Sequence, residues 1–371
     1  MAVLSDILQK IETIAPSGFA ESWDNSGLQL GQLDWPVETI WVALDPLPQV
    51  VTAACKSKVD LLITHHPLIL APLHRLDFNT PIGSIVQMAT VHQMAIFSAH
   101  TNFDSMPGGA NDILASRIGL KDLSVLGDSR DPDRFKFVVY VPLEHEQKIL
   151  DALFETAGGK IGDYTRCSFR HVGKGTFRPG SSARPAIGER GSTSHVDEVR
   201  IETVVEKADL NDVISHVRHN HPYETMAYDV YPMFSAEGTS GIGRVGSLEK
   251  VTTLLSFARD VKRMLDLDTL KFAGKPELPV DRVAVCTGSG SSAVAQFLSS
   301  GAQVYVSGDL HYHDARTVED HHRGLVDIGH FPSEHLTLGD FAARVKAILA
   351  EIGDSIHVEA YTLEKDPFVV L

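Results

Sequence analysis

The sequence predicts an α/β layered domain built from both ends of the chain, 1–128 and 240–371, interrupted at 133–236 by an inserted ferredoxin-like α+β domain. Three patterns carry this expectation. Short apolar runs alternate with helical ones in the first third of the chain. A different strand–helix rhythm occupies the middle. The first rhythm then returns after the Gly-rich link 238–246. Alternation of this kind argues for layered sheets with substantial parallel pairing.

Met1–Ile14 reads as an amphipathic helix, with Val3, Leu4, Ile7, Leu8 and Ile11 on one face. It has neither the basic start nor the apolar core of a signal peptide. Thr39–Leu44, Val59–Ile63 and Ala95–Ala99 read as buried strands, with helices at Pro48–Lys56 and Pro81–Gln93 between them. Gly127–Pro132 is a turn-rich break. The insert begins with a strand at Phe135–Val141 and a helix at His145–Ala157. A loop of Gly, Ser, Arg and Pro follows at Val172–Ser194, then a strand at Val199–Val205, a helix at Leu210–Asn220 and a strand at Ala227–Met233. Two strand–helix–strand passages of this size suggest the split βαβ arrangement. In the last third, Val283–Cys286, Val304–Val306 and Leu325–Ile328 read as strands, and Ala293–Ser299 as a helix.

The chain has 371 residues, 43% of them hydrophobic and 22% charged, which is ordinary for a globular protein large enough for two or three cores. No apolar run approaches the roughly 20 residues of a membrane span. A formal net charge of −15 disfavours a phosphate-backbone surface, and with it nucleic acid as a partner. Cys55, Cys167 and Cys286 are odd in number and far apart, which suggests reduced thiols and a cytoplasmic location.

The chemistry concentrates where strands end. His65 and His66 close the Val59–Ile63 run and precede Pro67, which favours a break in the chain. His100 and Asp104 follow Ala95–Ala99, and His330 and Glu334 follow Leu325–Ile328. The four-residue spacing of His330 and Glu334 places them on nearly the same side of a helix that Pro332 helps to start. A single strand-end histidine is most often surface or core. Three such clusters point instead to a metal centre, because open α/β sheets present their ligand crevice at the carboxyl ends of their strands. His65, His66, Asp104, His330 and Glu334 exceed the need of one tetrahedral ion. Two divalent ions bridged by Glu334 would use them all, an arrangement suited to hydrolysis. Zinc is the first candidate, with iron, manganese or cobalt as alternatives.

Around that set, His100 and His313 are the candidates for proton transfer, with Asp309 and His311 beside them. Gly288, Ser289, Gly290 and Ser291 lie between a strand and a helix, where free amides could cradle a phosphate or substrate tail. With Ala293 they also match a loose G-x-G-x-x-A pattern, which a tight strand–helix turn explains equally well. Trp23-Asp24-Asn25-Ser26-Gly27 reads as a polar turn at the cleft mouth. His221-Pro222-Tyr223-Glu224 could line a second site in the insert. Arg170, Lys174, Arg178, Arg184 and Arg190 read as a solvated basic loop.

Taken in order, DNSGLQLG, ITHHPLI, SAHTNFD, SGDLHYHDA and GHFPSEH resemble the Nif-three-like family, whose members are labelled GTP cyclohydrolase I type 2 homologues or dinuclear-metal-centre hexameric proteins. The insert, through GKIGDYTRCSF, GTFRPG and HPYETMAYDVYP, resembles the longer bacterial branch with a PII/CutA-like domain. The resemblance implies a toroidal homohexamer with two divalent ions per subunit. It also implies His65, His66, Asp104, His330 and Glu334 as ligands, with His100 close by. The expected function is metal-dependent hydrolysis of a nucleotide-like or phosphorylated small molecule. In the cyclohydrolase version the guanine ring opens at C8 and formate leaves. The rivals are a binuclear phosphodiesterase and a non-enzymatic metal-binding or regulatory ring whose insert senses a small molecule.

Overall fold

The computed structural model describes residues 2–126, 134–233, 241–351 and 356–369. The turn expected at Gly127–Pro132 and the first part of the Gly-rich link lie outside these residues. The chain divides into two compact units, Met1–Asp128 with Thr239–Leu371, and Ser129–Gly238.

The first unit is mixed α/β with two sheets. One runs in the order β1 (Gly27–Leu30), β4 (Ala95–Ser98), β3 (Leu61–Thr64), β2 (Thr39–Ala43), β15 (His357–Ala360). All its pairs are parallel except β1 with β4. The other runs β11 (Lys271–Ala273), β14 (Gly324–Asp327), β13 (Val304–Gly308), β12 (Pro279–Ser289), β10 (Arg244–Thr253), β5 (Lys121–Val125). Its centre, β12–β13–β14, is parallel, and its flanking pairs are antiparallel. Parallel pairing thus joins the buried strands β2–β3–β4 and β12–β13–β14, whose continuous apolar character suits burial on both faces, and extends to the edge strand β15.

Successive side chains of a strand face opposite ways, so each central strand feeds two cores. In the first sheet Ile40, Val42, Leu61 and Ile63 pack under Leu4, Ile7, Ile11 and Val345. Leu62 and Ile96 pack on the other face with Val50, Val51 and Ile85. In the second, Val283, Val304 and Val326 meet Phe257 and Val261, while Ala284 and Tyr305 meet Phe297 and Val318. Helices on both faces leave the carboxyl ends of β2, β3, β4, β12, β13 and β14 as the places where polar side chains can gather.

The second unit is a four-stranded antiparallel sheet, β7 (Phe169–Phe177), β8 (Ser194–Glu206), β6 (Arg134–Pro142), β9 (Tyr228–Met233), with helices Glu146–Phe154 and Leu210–Asn220. Its chain order, strand–helix–strand–strand–helix–strand, is ferredoxin-like. Two readings of the sequence need correction. Residues 172–177, expected in a loop, belong to β7, an edge strand whose side chains are almost all exposed and therefore show no apolar alternation. Arg244 to Gly246, expected in the link, begin β10. Three of the five basic side chains expected in a solvated loop are engaged: Arg170 pairs with Glu146 at 2.7 Å, Lys174 with Asp197 at 2.7 Å, and Arg190 Nε donates to the carbonyl of Ala183 at 2.7 Å.

Two buried side chains join distant segments of the first unit. Arg244 donates to the carbonyls of Gly241, Gly243, Ser105 and Met106, and its Nε lies 2.7 Å from Asp112. Asn111 accepts the amide of Thr287 at 2.8 Å and donates to the carbonyl of Asp104 at 3.0 Å. Replacing Arg244 with Met keeps much of the bulk but strands four carbonyls and a carboxylate. We expect a loss of about 3 kcal/mol in urea unfolding. An unchanged midpoint would show that the guanidinium network contributes nothing.

Candidate metal centre

Four imidazoles in the first unit share one device. His65 Nδ1 lies 2.9 Å from the carbonyl of Ala99, and His66 Nδ1 lies 2.8 Å from Asp45 Oδ1. His100 Nδ1 lies 2.8 Å from Asp24 Oδ1, and His330 Nδ1 lies 2.7 Å from Asp309 Oδ2. A carbonyl or a carboxylate can only accept, so each Nδ1 carries the proton and each neutral ring keeps its lone pair on Nε2.

Those lone pairs converge. The nitrogens of His65, His66 and His100 form one group of potential ligand atoms within 4.8 Å of one another, and His66, His330 and Glu334 form a second. Glu334 Oε1 lies 3.5 Å from His65 Nε2, whereas Oε2 lies 3.1 Å from both His66 Nε2 and His330 Nε2. Asp104 Oδ1 lies 3.8 Å from His65 Nε2 and accepts a hydrogen bond from Thr287 Oγ1 at 3.1 Å. Glu334 and Asp104 are both buried. His65 Nε2 and Glu334 Oε2 are buried without a hydrogen-bond partner. Buried acceptors aimed at one another need positive charge between them, which protons on the imidazoles or a metal ion could supply.

Protonation shows the same demand for positive charge. Burial acts to lower the His66 pKa, but the Asp45 hydrogen bond and Glu334 outweigh it and push it up to about 10. The hydrogen bond to Glu334 raises His330 to about 9. His65 is raised as well: burial opposes its charge, and the Asp104 and Glu334 carboxylates prevail. Burial raises the Asp104 carboxyl above the usual range. For Glu334 burial works the same way, yet the surrounding histidines hold it well below.

The backbone explains how the groups meet. His65 and His66 leave the end of β3, while His100 and Asp104 leave β4 on the short helix Thr101–Ser105. His330 and Glu334 share the helix His330–His335 after β14. Ser333 Oγ accepts the Gly288 amide at 2.8 Å. Gly288 has φ +66°, and a Cβ there would collide with Oε1 of Glu334, so glycine is required on both counts.

Some sequence-predicted residues take other roles. The amide of Gly288 is spent on Ser333, and that of Gly290 on the carbonyl of Gly308. Ser289 pairs with Gly308 inside the sheet, and Ser291 Oγ bonds Asp314 and His311. The expected phosphate cradle therefore has two of its amides already satisfied within the protein. His313 sits exposed in the first turn of helix Tyr312–Asp320, its ring edge-on to Tyr312 rather than against the histidine cluster. His100, expected to move protons, stands among the potential ligand atoms themselves.

The sequence reading gave no role in the centre to Asp45 and Thr287, and treated Asp24 as part of a turn. Asp45 lies two residues past β2 as His66 lies two residues past β3, and that strand-end position is the available signal. Glu364 accepts the amides of Leu44 and Asp45, both at 2.8 Å, and so steadies the partner of His66.

Residues 2–367 match the family described as Duf34/NIF3 (NGG1p interacting factor 3). A Halalkalibacterium halodurans protein, described as a GTP cyclohydrolase 1 type 2 homolog, is 34% identical over 98% of this chain and 98% of its own. A Bacillus subtilis protein of the same description is 38% identical over 90% of this chain and 89% of its own. The crystal structure of a Bacillus cereus protein related to NIF3 shares 34% identity and a TM-score of 0.69, covering 100% of this chain and 99% of that one.

Two outcomes test the centre. Because His66 and His330 hold protons at neutral pH, a divalent ion must displace them. Calorimetric titration with zinc should show proton release, read as a buffer-dependent heat, and tighter binding as pH rises from about 7 to about 9. Buffer-independent heat and a flat affinity would contradict the assignment. Asp45→Ala should weaken ion binding by about 10- to 100-fold, measured by competition with a chelating dye.

Proposed function

We propose, from the premise that this chain belongs to the Duf34/NIF3 family, that it is a dinuclear divalent-metal hydrolase of nucleotide-like or phosphorylated small molecules. One observation carries the reading: His65, His66 and His330, each with its Nδ1 engaged elsewhere, turn Nε2 to the buried carboxylate of Glu334, and His65 Nε2 also faces Asp104. In this reading His65, His66, Asp104, His330 and Glu334 would hold the two ions, with Glu334 shared between them. Adjacency of His65 and His66 then serves two ions rather than one. The donor set suits zinc first, then iron, manganese or cobalt.

Divalent ions supply Lewis-acid polarisation and bring the pKa of water to about 7. The chain's own residues supply position and proton handling. Asp24, Asp45 and Asp309 fix the tautomers, and each stabilises positive charge on its imidazole. Burial opposes ionisation of Asp24, but hydrogen bonds from His100, Ser26 and Thr101 hold its carboxyl well below the usual range. Asp24 therefore stays ionised, ready to support a proton taken up by His100 at Nε2. The relatives are described as GTP cyclohydrolase 1 type 2 homologs, which makes GTP the first substrate to try. The finer features expected from the sequence belong to the same proposal: a toroidal homohexamer, a cytoplasmic setting and a PII/CutA-like character for the second unit. No helix among the described residues is long and apolar enough to cross a membrane.

A second reading draws on the second unit's own core, in which Phe137, Val139, Ile201 and Val217 pack together. Such a unit could sense a small molecule for a metal-binding ring that performs no turnover. The two readings separate in one experiment. Metal-loaded protein is incubated with GTP and other nucleotides while formate and phosphate are followed. Hydrolysis should occur and fall by more than about 100-fold in Glu334→Ala and His65→Ala, with ion content falling in parallel. Full ion content without turnover of any nucleotide would reject the hydrolase for that substrate class and favour the sensor.

A further inference from the structure

Trp23 is 59% exposed, an unusual position for the largest apolar side chain. Its ring meets His100 edge-on, with centroids 5.9 Å apart and planes at 80°. The His100 ring lies 5.2 Å from that of His65 and 5.6 Å from that of His66. The indole is thus the next ring outward from the centre.

The turn that presents it is fixed. Asp24, the following residue, has a fully shielded side chain. It accepts His100 Nδ1 at 2.8 Å, Thr101 Oγ1 at 2.6 Å, Ser26 Oγ at 2.6 Å and the Asn25 amide at 2.7 Å. Asn25 Nδ2 donates to the carbonyl of Ile69 at 2.5 Å, and Gln29 Oε1 accepts the Ile69 amide at 3.2 Å. These bonds tie the turn to the segment that follows His66, where Leu70 is 52% exposed. The backbone that carries the indole is therefore fixed next to His100, and an exposed aromatic face on a fixed turn offers a flat apolar surface to a planar ring at small entropic cost.

We propose that Trp23 is a stacking platform for the planar heteroaromatic base of a nucleotide whose reacting group lies at the metal centre. This inference rests on the reading of the centre as a nucleotide hydrolase and names the part of the substrate that Trp23 recognises. The probes are GMP, which carries a base, and ribose 5-phosphate, which does not. Both are titrated by calorimetry into the metal-loaded full chain, into Trp23→Phe and into Trp23→Leu, with ion content measured for each. Leucine keeps apolar bulk without a π face. GMP affinity should fall about ten-fold in Trp23→Leu and be largely kept in Trp23→Phe, while ribose 5-phosphate binds all three alike. Unchanged GMP binding in Trp23→Leu, equal losses for both probes, or no GMP binding to the unsubstituted chain would each overturn the platform. Failure of the hydrolase looks different: the GMP pattern holds while no nucleotide is turned over. GTP turnover with an unchanged KM in Trp23→Leu would instead sink the platform and leave the hydrolase standing.

Discussion

The rest of the first unit is arranged around a shortage of positive charge. Six donor side chains lean on one small volume, and all four imidazoles have their other nitrogen occupied. Left neutral, the lone pairs of His65, His66 and His330 would face the oxygens of Glu334 with nothing between them. The raised histidine pKa values and the depressed Glu334 value answer one electrostatic requirement, positive charge beside the buried carboxylates. Apolar packing must hold such a cluster together against this repulsion. The two helix-covered sheets of the unit provide that packing.

The sheets also divide the labour. The first delivers His65, His66, His100 and Asp104 from neighbouring strand ends, with Asp45 as a brace. The second delivers His330 and Glu334, with Asp309 and Thr287 as braces. Asn111 and Arg244 lock the helix region after β4 to β12 and β10, so the two contributions keep a common register. A displacement of one sheet against the other would separate His65 from Glu334, and those buried side chains resist it.

Much of this was legible because ligand-type residues directly follow apolar runs, which marks both a strand and its functional end. The His65–His66 pair, His100, Asp104, His330 and Glu334 were all found in that way, and the structure gathers them. What escaped notice did so for physical reasons. Strand β7 is exposed along its length and carries no alternating signal. Asp45 obeys the strand-end rule but stands alone, without the histidine neighbours that drew attention elsewhere. His313 lies only four residues from Asp309, yet the helix that starts at Tyr312 presents it to solvent. Gly288 suggested a phosphate loop, whereas its missing side chain makes room for a carboxylate.

Glu364 has a consequence for how the protein is made. It braces the amide of Asp45, and Asp45 orients His66, so a residue near the start of the ligand set depends on one translated roughly 300 positions later. Between His66 and Glu334 the ribosome must also deliver the whole 129–238 unit. A nascent chain therefore exposes His65 and His66 long before His330, Glu334 and Glu364 exist. The buried cluster can close only after translation is nearly complete, and an ion of the proposed centre offered earlier would meet only half of the donor set.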